Sequence, residues 1–242
     1  MSSEPDALSD YGLLDTRYAI YFAPRRGSPL KRLADAWLGR DPDADEPVPQ
    51  PVVPDVTPQR LHEITAAPRH YGFHATLKAP FTPVTGVAPD VLLGDVESFA
   101  ASRHVTRLRL RVGELGGFLA LVPSAPAPEV ERLAADCVRD FDRYRAPLSE
   151  RDRARRDMAH LSPVEREHLE RWGYPYVLDR FSFHMTLTGR LDQPERDRIA
   201  AVLEGVFGPV LAEPVALDQL ALFTQTHRVA PFRIVARFPF RA

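Results

Sequence analysis

Two strings in this chain, YGFHATLKAPF at residues 71–81 and FSFHMTLTGRL at residues 181–191, share the pattern Phe-His-x-Thr-Leu. Each sets one histidine and one threonine among aromatic and aliphatic neighbours. Successive side chains of a β-strand point to opposite faces. His74 and Thr76 therefore share one face while Phe73, Ala75 and Leu77 share the other, and His184 and Thr186 stand against Phe183, Met185 and Leu187 in the same way. A His and a Thr two apart on a strand have Cα atoms about 6.5–7 Å apart, a span that a tetrahedral phosphate bridges once both side chains lean inward. Threonine offers a hydroxyl to a phosphate oxygen. A neutral imidazole takes a proton from water, and a protonated one gives a proton to a leaving alkoxide. Phosphodiester hydrolysis needs both acts, and an unperturbed His pKa of about 6.5 makes both protonation states accessible near neutrality.

A single FHxTL is most often an ordinary strand whose His satisfies a nearby carbonyl. The second copy changes that reading. The apolar neighbours differ (Ala75 against Met185, Lys78 against Thr188) while His and Thr recur. If the two strands present their polar faces to one another, four side chains converge in a cleft.

The strings around the motifs, RYAIYFAP, PRHYGFHATLKAPF, FDRYRAPLSE, WGYPYVLDRFSFHMTLTGRL and a closing LALF, span nearly the whole chain. It resembles the two-histidine phosphoesterase superfamily, whose members carry two HxT motifs on strands of a duplicated, two-lobed fold. Within that superfamily it is similar to the phosphonate-metabolism branch. The resemblance implies metal-independent cleavage or ring opening of a phosphodiester, often a cyclic phosphate, with no cofactor. His74 and His184 would be the acid and base, and Thr76 and Thr186 would hold the phosphate. The substrate would be a small sugar or nucleotide phosphate from phosphonate breakdown. Tyr18, Tyr71, Arg145, Tyr174 and Tyr176 lie in the family-like strings and are candidates to line the cleft. Lys78, four positions past His74, shares its strand face by alternation and could offset phosphate charge.

The elements that must carry these residues are legible. RYAIYFAP reads as a strand, and Ser28 with Pro29 starts a helix through Leu30, Leu33, Ala34, Trp37 and Leu38 that Gly39 ends. Residues 40–57 are acidic and proline-rich, without regular structure by this reading, a spacer or a cover. Residues 89–101 suggest a helix, and VTRLRLRV (105–112) alternates like one half-buried strand before Gly116 and Gly117 turn the chain into FLALV. Residues 128–144 form an amphipathic helix, with Cys137, the one cysteine, in its apolar stripe. Ser162 and Glu165 make a capping box for another helix that Gly173 closes. After the second motif come a helix from Pro194 and strands near 215–223 and 232–239. Strand with motif, helix, strand, strand thus occurs twice. The fold class is α+β, a single two-lobed domain over 1–242, each lobe a mainly antiparallel sheet with outer helices and a cleft between them.

Composition narrows the partners. With 31 Lys plus Arg against 33 Asp plus Glu, no global field draws in long nucleic acid, so a small phosphate ester is the expected ligand. The RDRARR run (151–156) reads as a solvated helix face. The start lacks the pattern of a secretory signal and no segment reaches membrane-spanning length, so a cytoplasmic protein with no membrane partner is expected. A metal hydrolase is the first rival, prompted by His62, His70, His74 and His184, but extended chain separates His70 from His74 by about 13 Å, too far for one ion. A module that binds a phosphorylated ligand without turnover is the second, and an RNA-end cyclic phosphodiesterase or ligase-like enzyme the third.

Overall fold

The computed structural model describes residues 16–154 and 158–241. The chain opens with β1 (Arg17–Phe22) and α1 (Pro29–Leu38), then a short hairpin of β2 (Arg40–Asp41) and β3 (Glu46–Pro47). Helices α2 (Pro58–Ile64) and α3 (Ala66–Tyr71) lead into the first motif strand, β4 (Ala75–Phe81). There follow α4 (Pro89–Ala101), β5 (Thr106–Leu108), β6 (Leu110–Leu115), β7 (Phe118–Pro123), α5 (Pro128–Asp140), α6 (Glu150–Ala154) and α7 (Pro163–Trp172). The second motif strand, β8, is Met185–Thr186, and α8 (Gln193–Leu211), β9 (Val215–Leu217), β10 (Gln219–Gln225) and β11 (Arg233–Pro239) complete the fold.

Seven strands form one antiparallel sheet in the order β11-β10-β1-β4-β8-β7-β6. Where two similar lobes with a sheet each were expected, the sheet is continuous: the motif strands are neighbours at its centre, four strands lie on the side of β4 and three on the side of β8. The alternation of β1 separates the two faces. Ile20 and Phe22 enter the large core beneath α1, α4, α5 and α8, whereas Ala19, Tyr21 and Ala23 pack with Phe223 and Phe232 on the other side. Cys137 lies fully buried in the stripe of α5, and burial pushes its thiol pKa up. No helix among the described residues is long and apolar enough to cross a membrane.

Helix starts follow the expected chemistry. The Ser28 hydroxyl accepts from the Lys31 amide, and Gly39 closes α1 in the left-handed conformation. Ser162 and Glu165 make both bonds of their capping box at α7. The RLRLR run departs from expectation: its Leu-in, Arg-out alternation holds, but it divides at Arg109, and β5 leaves the main sheet to pair with β9. Of the RDRARR run, Arg155 and Arg156 lie outside the described residues.

The proline-rich stretch also departs from expectation, because a buried charge cluster orders it. Lys31, 4 % exposed, pairs with Asp35 on its own helix and reaches Asp41 at 2.6 Å and Asp43 at 3.0 Å. Asp43 also receives both arms of Arg237 at 2.8 Å. Burial alone would raise the Asp43 pKa, but the bonds from Arg237 and Lys31 outweigh it and hold the carboxyl well below its usual range. The strap is thus riveted to α1 and β11, and the Pro42 carbonyl accepts from the Ile234 amide at 2.8 Å. Removing one partner of a buried ion network leaves uncompensated charge and costs about 3–5 kcal/mol. Asp43→Ala is expected to lose stability of that order in urea denaturation, and an unchanged midpoint would show that the strap is not held by this cluster.

Candidate active site

The β4–β8 ladder pairs Ala75 with Met185 in antiparallel register. Continuing that register one residue each way sets His74 opposite Thr186 and Thr76 opposite His184. The two motifs are therefore inverted copies across a single residue pair, and their four polar side chains share one face. Diagonal neighbours across such a pair stand about 7–8 Å apart, and His74 and His184 are such a diagonal pair. They are close enough that the charge of one bears on the other.

Both rings are oriented by the same device. His74 Nδ1–H donates to the Gly72 carbonyl at 2.8 Å, and His184 Nδ1–H donates to the Ser182 carbonyl at 2.8 Å. A carbonyl only accepts, so in each neutral ring the proton sits on Nδ1 and the lone pair on Nε2. His74 Nε2 meets the Thr76 hydroxyl at 3.2 Å. The Gly72 carbonyl reaches His74 because Gly72 has a φ of 75°. An added Cβ there would come within 2.7 Å of Pro42, so the strap of residues 40–57 presses directly on the turn that aims His74.

The surroundings of the two histidines differ. The Tyr21 ring stacks on His74 with centroids 3.9 Å apart and planes at 20°, and Phe223 and Tyr71 close in at 5.9 and 6.0 Å. This apolar enclosure pulls the His74 pKa down to about 4, the Gly72 bond opposing and the His184 charge adding to the fall. The His184 ring meets Phe118 at 5.8 Å, and burial lowers its pKa against the pull of the Ser182 bond. Both shifts favour the neutral imidazole at pH 7.

A cavity of about 340 Å³ opens beside the motifs, lined by Thr76, His184, Phe118, Tyr174, Tyr176 and Arg190 among others. Tyr174 and Tyr176 are thus lining residues of this cavity, and Tyr71 stacks on Phe232 at 5.1 Å and lies 6.0 Å from the His74 ring. Three expected lining residues are elsewhere. Tyr18 packs against the helix-side core. It is three residues from Tyr21, hence on the opposite face, and Tyr21 takes the cleft position opposite Thr76. Lys78 is turned away by a β-bulge: Tyr21 pairs with Thr76 but Ile20 pairs with Lys78, so Leu77 is the extra residue and alternation is lost. Its ammonium donates instead to the Val138 carbonyl at 3.1 Å and meets Asp142 at 3.3 Å. Burial lowers its pKa to about 8, with Asp142 opposing. Arg145 does not line this cavity; it is clamped on Asp142 at 2.8 Å and faces a separate, smaller pocket.

Tyr21 and Arg190 were missed by sequence reasoning. The signal for Tyr21 was its odd spacing from Tyr18, and for Arg190 its place six residues past His184. Among the described residues no group of three or more His, Cys, Asp or Glu is arranged to hold a metal ion. His62 is engaged by Arg69, and His70 meets the Gln225 amide at 3.2 Å.

Comparison with known proteins places these residues in a family. Over 230 residues, 93 % of this chain, it is 40 % identical to ribose 1,5-bisphosphate phosphokinase PhnN of Janthinobacterium sp. (strain Marseille), covering 51 % of that protein. The protein of the same name in Laribacter hongkongensis (strain HLHK9) is 34 % identical over 218 residues, 90 % of this chain and 50 % of its own length. The chain spans about half the length of the curated relatives it matches. It carries no GxxxxGK[ST] string, the backbone cradle with which P-loop kinases hold a nucleoside triphosphate. Residues 76–233, from the first motif threonine to the last strand, match the family model described as "Protein of unknown function (DUF1045)", and the chain belongs to that family.

Proposed function

We propose that this chain is a phosphodiesterase of the two-histidine type that opens a small cyclic phosphate without a metal ion. The inverted register of the two HxT motifs supports the reading, because it puts both histidines and both threonines on one face with each Nδ1 committed to a backbone carbonyl. Thr76 and Thr186 donate to the non-bridging phosphate oxygens. His74, the more enclosed ring, is the base, and His184 is the acid. His74 Nε2 takes a proton from water as the water oxygen bonds to phosphorus. The bond from phosphorus to the leaving oxygen breaks, and His184 Nε2–H delivers the proton that oxygen needs. The products are a phosphate monoester and a free hydroxyl.

The relatives' name bears on the substrate. A phosphokinase acting on ribose 1,5-bisphosphate needs a nucleotide cradle, which this chain lacks, and the relatives have a further half of chain to supply it. Opening a cyclic phosphate yields a monoester, and ribose 1,5-bisphosphate is a sugar with two monoesters. A phosphorylated ribose cyclic phosphate, arising in phosphonate breakdown, is therefore the substrate class we assign, ahead of a nucleotide.

Two measurements test this reading. On small cyclic phosphodiesters assayed in excess chelator, His74→Ala and His184→Ala should each lower kcat about 10²–10⁴-fold, with KM changed far less. Equal losses in binding and turnover would mark a binding module instead, and activity abolished by chelator and restored by a divalent ion would favour the metal reading. The pH profile of kcat/KM reports the free enzyme. Rate should climb as pH rises through about 4 and His74 loses its proton. It should fall again as His184 loses its own proton below the ordinary value of 6.5. An optimum on the acid side of neutrality is expected, and a plateau persisting above pH 8 would overturn the assignment of His184 as acid.

A further inference from the structure

β1 continues past Tyr21 to Arg17, which alternation keeps on the cleft face. There a second, smaller cavity of about 40 Å³ lies between the ends of β1 and β4, the chain leading out of α7 and the turn after β10. Three guanidiniums line it, Arg17, Arg145 and Arg228, against one lining carboxylate, Asp152. Arg228 grips Asp152 at 2.8 and 3.1 Å. Arg145 is fixed by Asp142 and by the Arg171 carbonyl at 2.8 Å, its stem lying on Gly173, where an added Cβ would approach Arg145 Cδ to 2.9 Å. Arg17 is different. Its bonds go to a neutral partner, the Gln225 carbonyl oxygen at 2.8 Å from Nε, and its plane lies 5.3 Å over the Phe232 ring. Among the described residues no carboxylate lies within ion-pair distance of it, while burial and the like charge of Arg228 lower its pKa against the more distant opposing charge of Asp152.

A half-buried cation facing a second cation is costly unless an anion joins them. The cavity has room for about three water molecules, enough for the oxygens of one phosphate and too little for a ring. The two cavities are lined by adjacent residues of one loop, Gly173 in this one and Tyr174 in the larger cavity beside the motifs. Four strand residues, about 13 Å, separate Arg17 from Tyr21, and the arginine stem closes part of that distance.

We propose that Arg17 and Arg228, with Arg145 behind them, form a subsite for a second phosphate monoester at the far end of the substrate. This deepens the cyclic phosphodiesterase reading and rests on it for the word substrate, but binding tests it separately. Ribose 5-phosphate carries such a monoester and no cyclic ester. In calorimetric titration it should bind the wild-type protein, while ribose does not. Arg17→Gln should weaken that binding about ten- to a hundredfold, the loss of one or two charge-assisted bonds, and Arg228→Gln should weaken it similarly if Arg17→Gln proves unstable. The His74→Ala/His184→Ala double variant should bind within about threefold of wild type. No binding to wild type, unchanged binding to both arginine variants, or binding lost in the histidine variant alone would overturn the subsite. A protein that binds ribose 5-phosphate through Arg17 but turns over no cyclic ester would keep the subsite and lose the catalytic reading.

Discussion

The pairing of one residue with one other, Ala75 with Met185, is the constraint on which the site depends. Because the side-chain period of a strand is two, a slip of one residue at this ladder would send one motif's His and Thr into the core and its Phe and Leu into the cleft. A two-residue strand does not enforce such a register by itself. The enforcement comes from β7 and from outside the sheet: the Trp37 indole donates to the Leu187 carbonyl at 2.9 Å, and the Thr188 hydroxyl accepts from the Leu119 amide at 3.0 Å. The Gly189 amide adds a bond to the Ile64 carbonyl at 2.6 Å. Three separate elements, α1, α2 and β7, thus hold the second motif at the depth where it meets the first.

Electrostatics then separates two chemically identical groups. Each imidazole has its Nδ1 proton committed to the carbonyl two residues before it, so the difference between them lies in what covers the ring. Tyr21 is flat on His74, and Tyr71 and Phe223 flank it; His184 faces the wider cavity. Enclosure disfavours the cation, so the more covered ring gives up its proton first. A phosphate entering between them carries the negative charge that would favour protonation of one imidazole, and the less enclosed ring accepts it at lower cost. On the proposed reading, this asymmetric packing around a symmetric motif is what divides acid from base.

Much of this was legible in the sequence because it is governed by local rules. The two HxT faces follow from strand alternation, Ser28 and Ser162 from capping chemistry, and Cys137 from helical periodicity. The rest depends on partners far along the chain. The bulge at Leu77 that turns Lys78 into the interior is visible only in the pairing with β1. The alternation that pairs His74 with Thr76 on one face therefore misplaced the residue four positions on. The acidic strap reads as unstructured until Lys31 and Arg237 are seen to neutralise Asp41 and Asp43. The continuous sheet, where separate lobes were expected, comes from the contact of β4 with β8, and no composition or period encodes which strands meet.

The strap links these points. Its ion cluster is far from the reacting atoms, yet Pro42 rests on Gly72, Gly72 offers the carbonyl that orients His74, and Ile234 bonds the Pro42 carbonyl. The next link is the His70 carbonyl, which accepts from the Phe232 amide at 2.9 Å and so fixes the ring on which Tyr71 and Arg17 lie. Rigid supports of this kind matter because a catalytic imidazole must hold its aim to a fraction of an ångström. On the proposed reading the charge cluster serves the chemistry through geometry, holding both the turn that aims His74 and the Phe232 ring beneath Arg17.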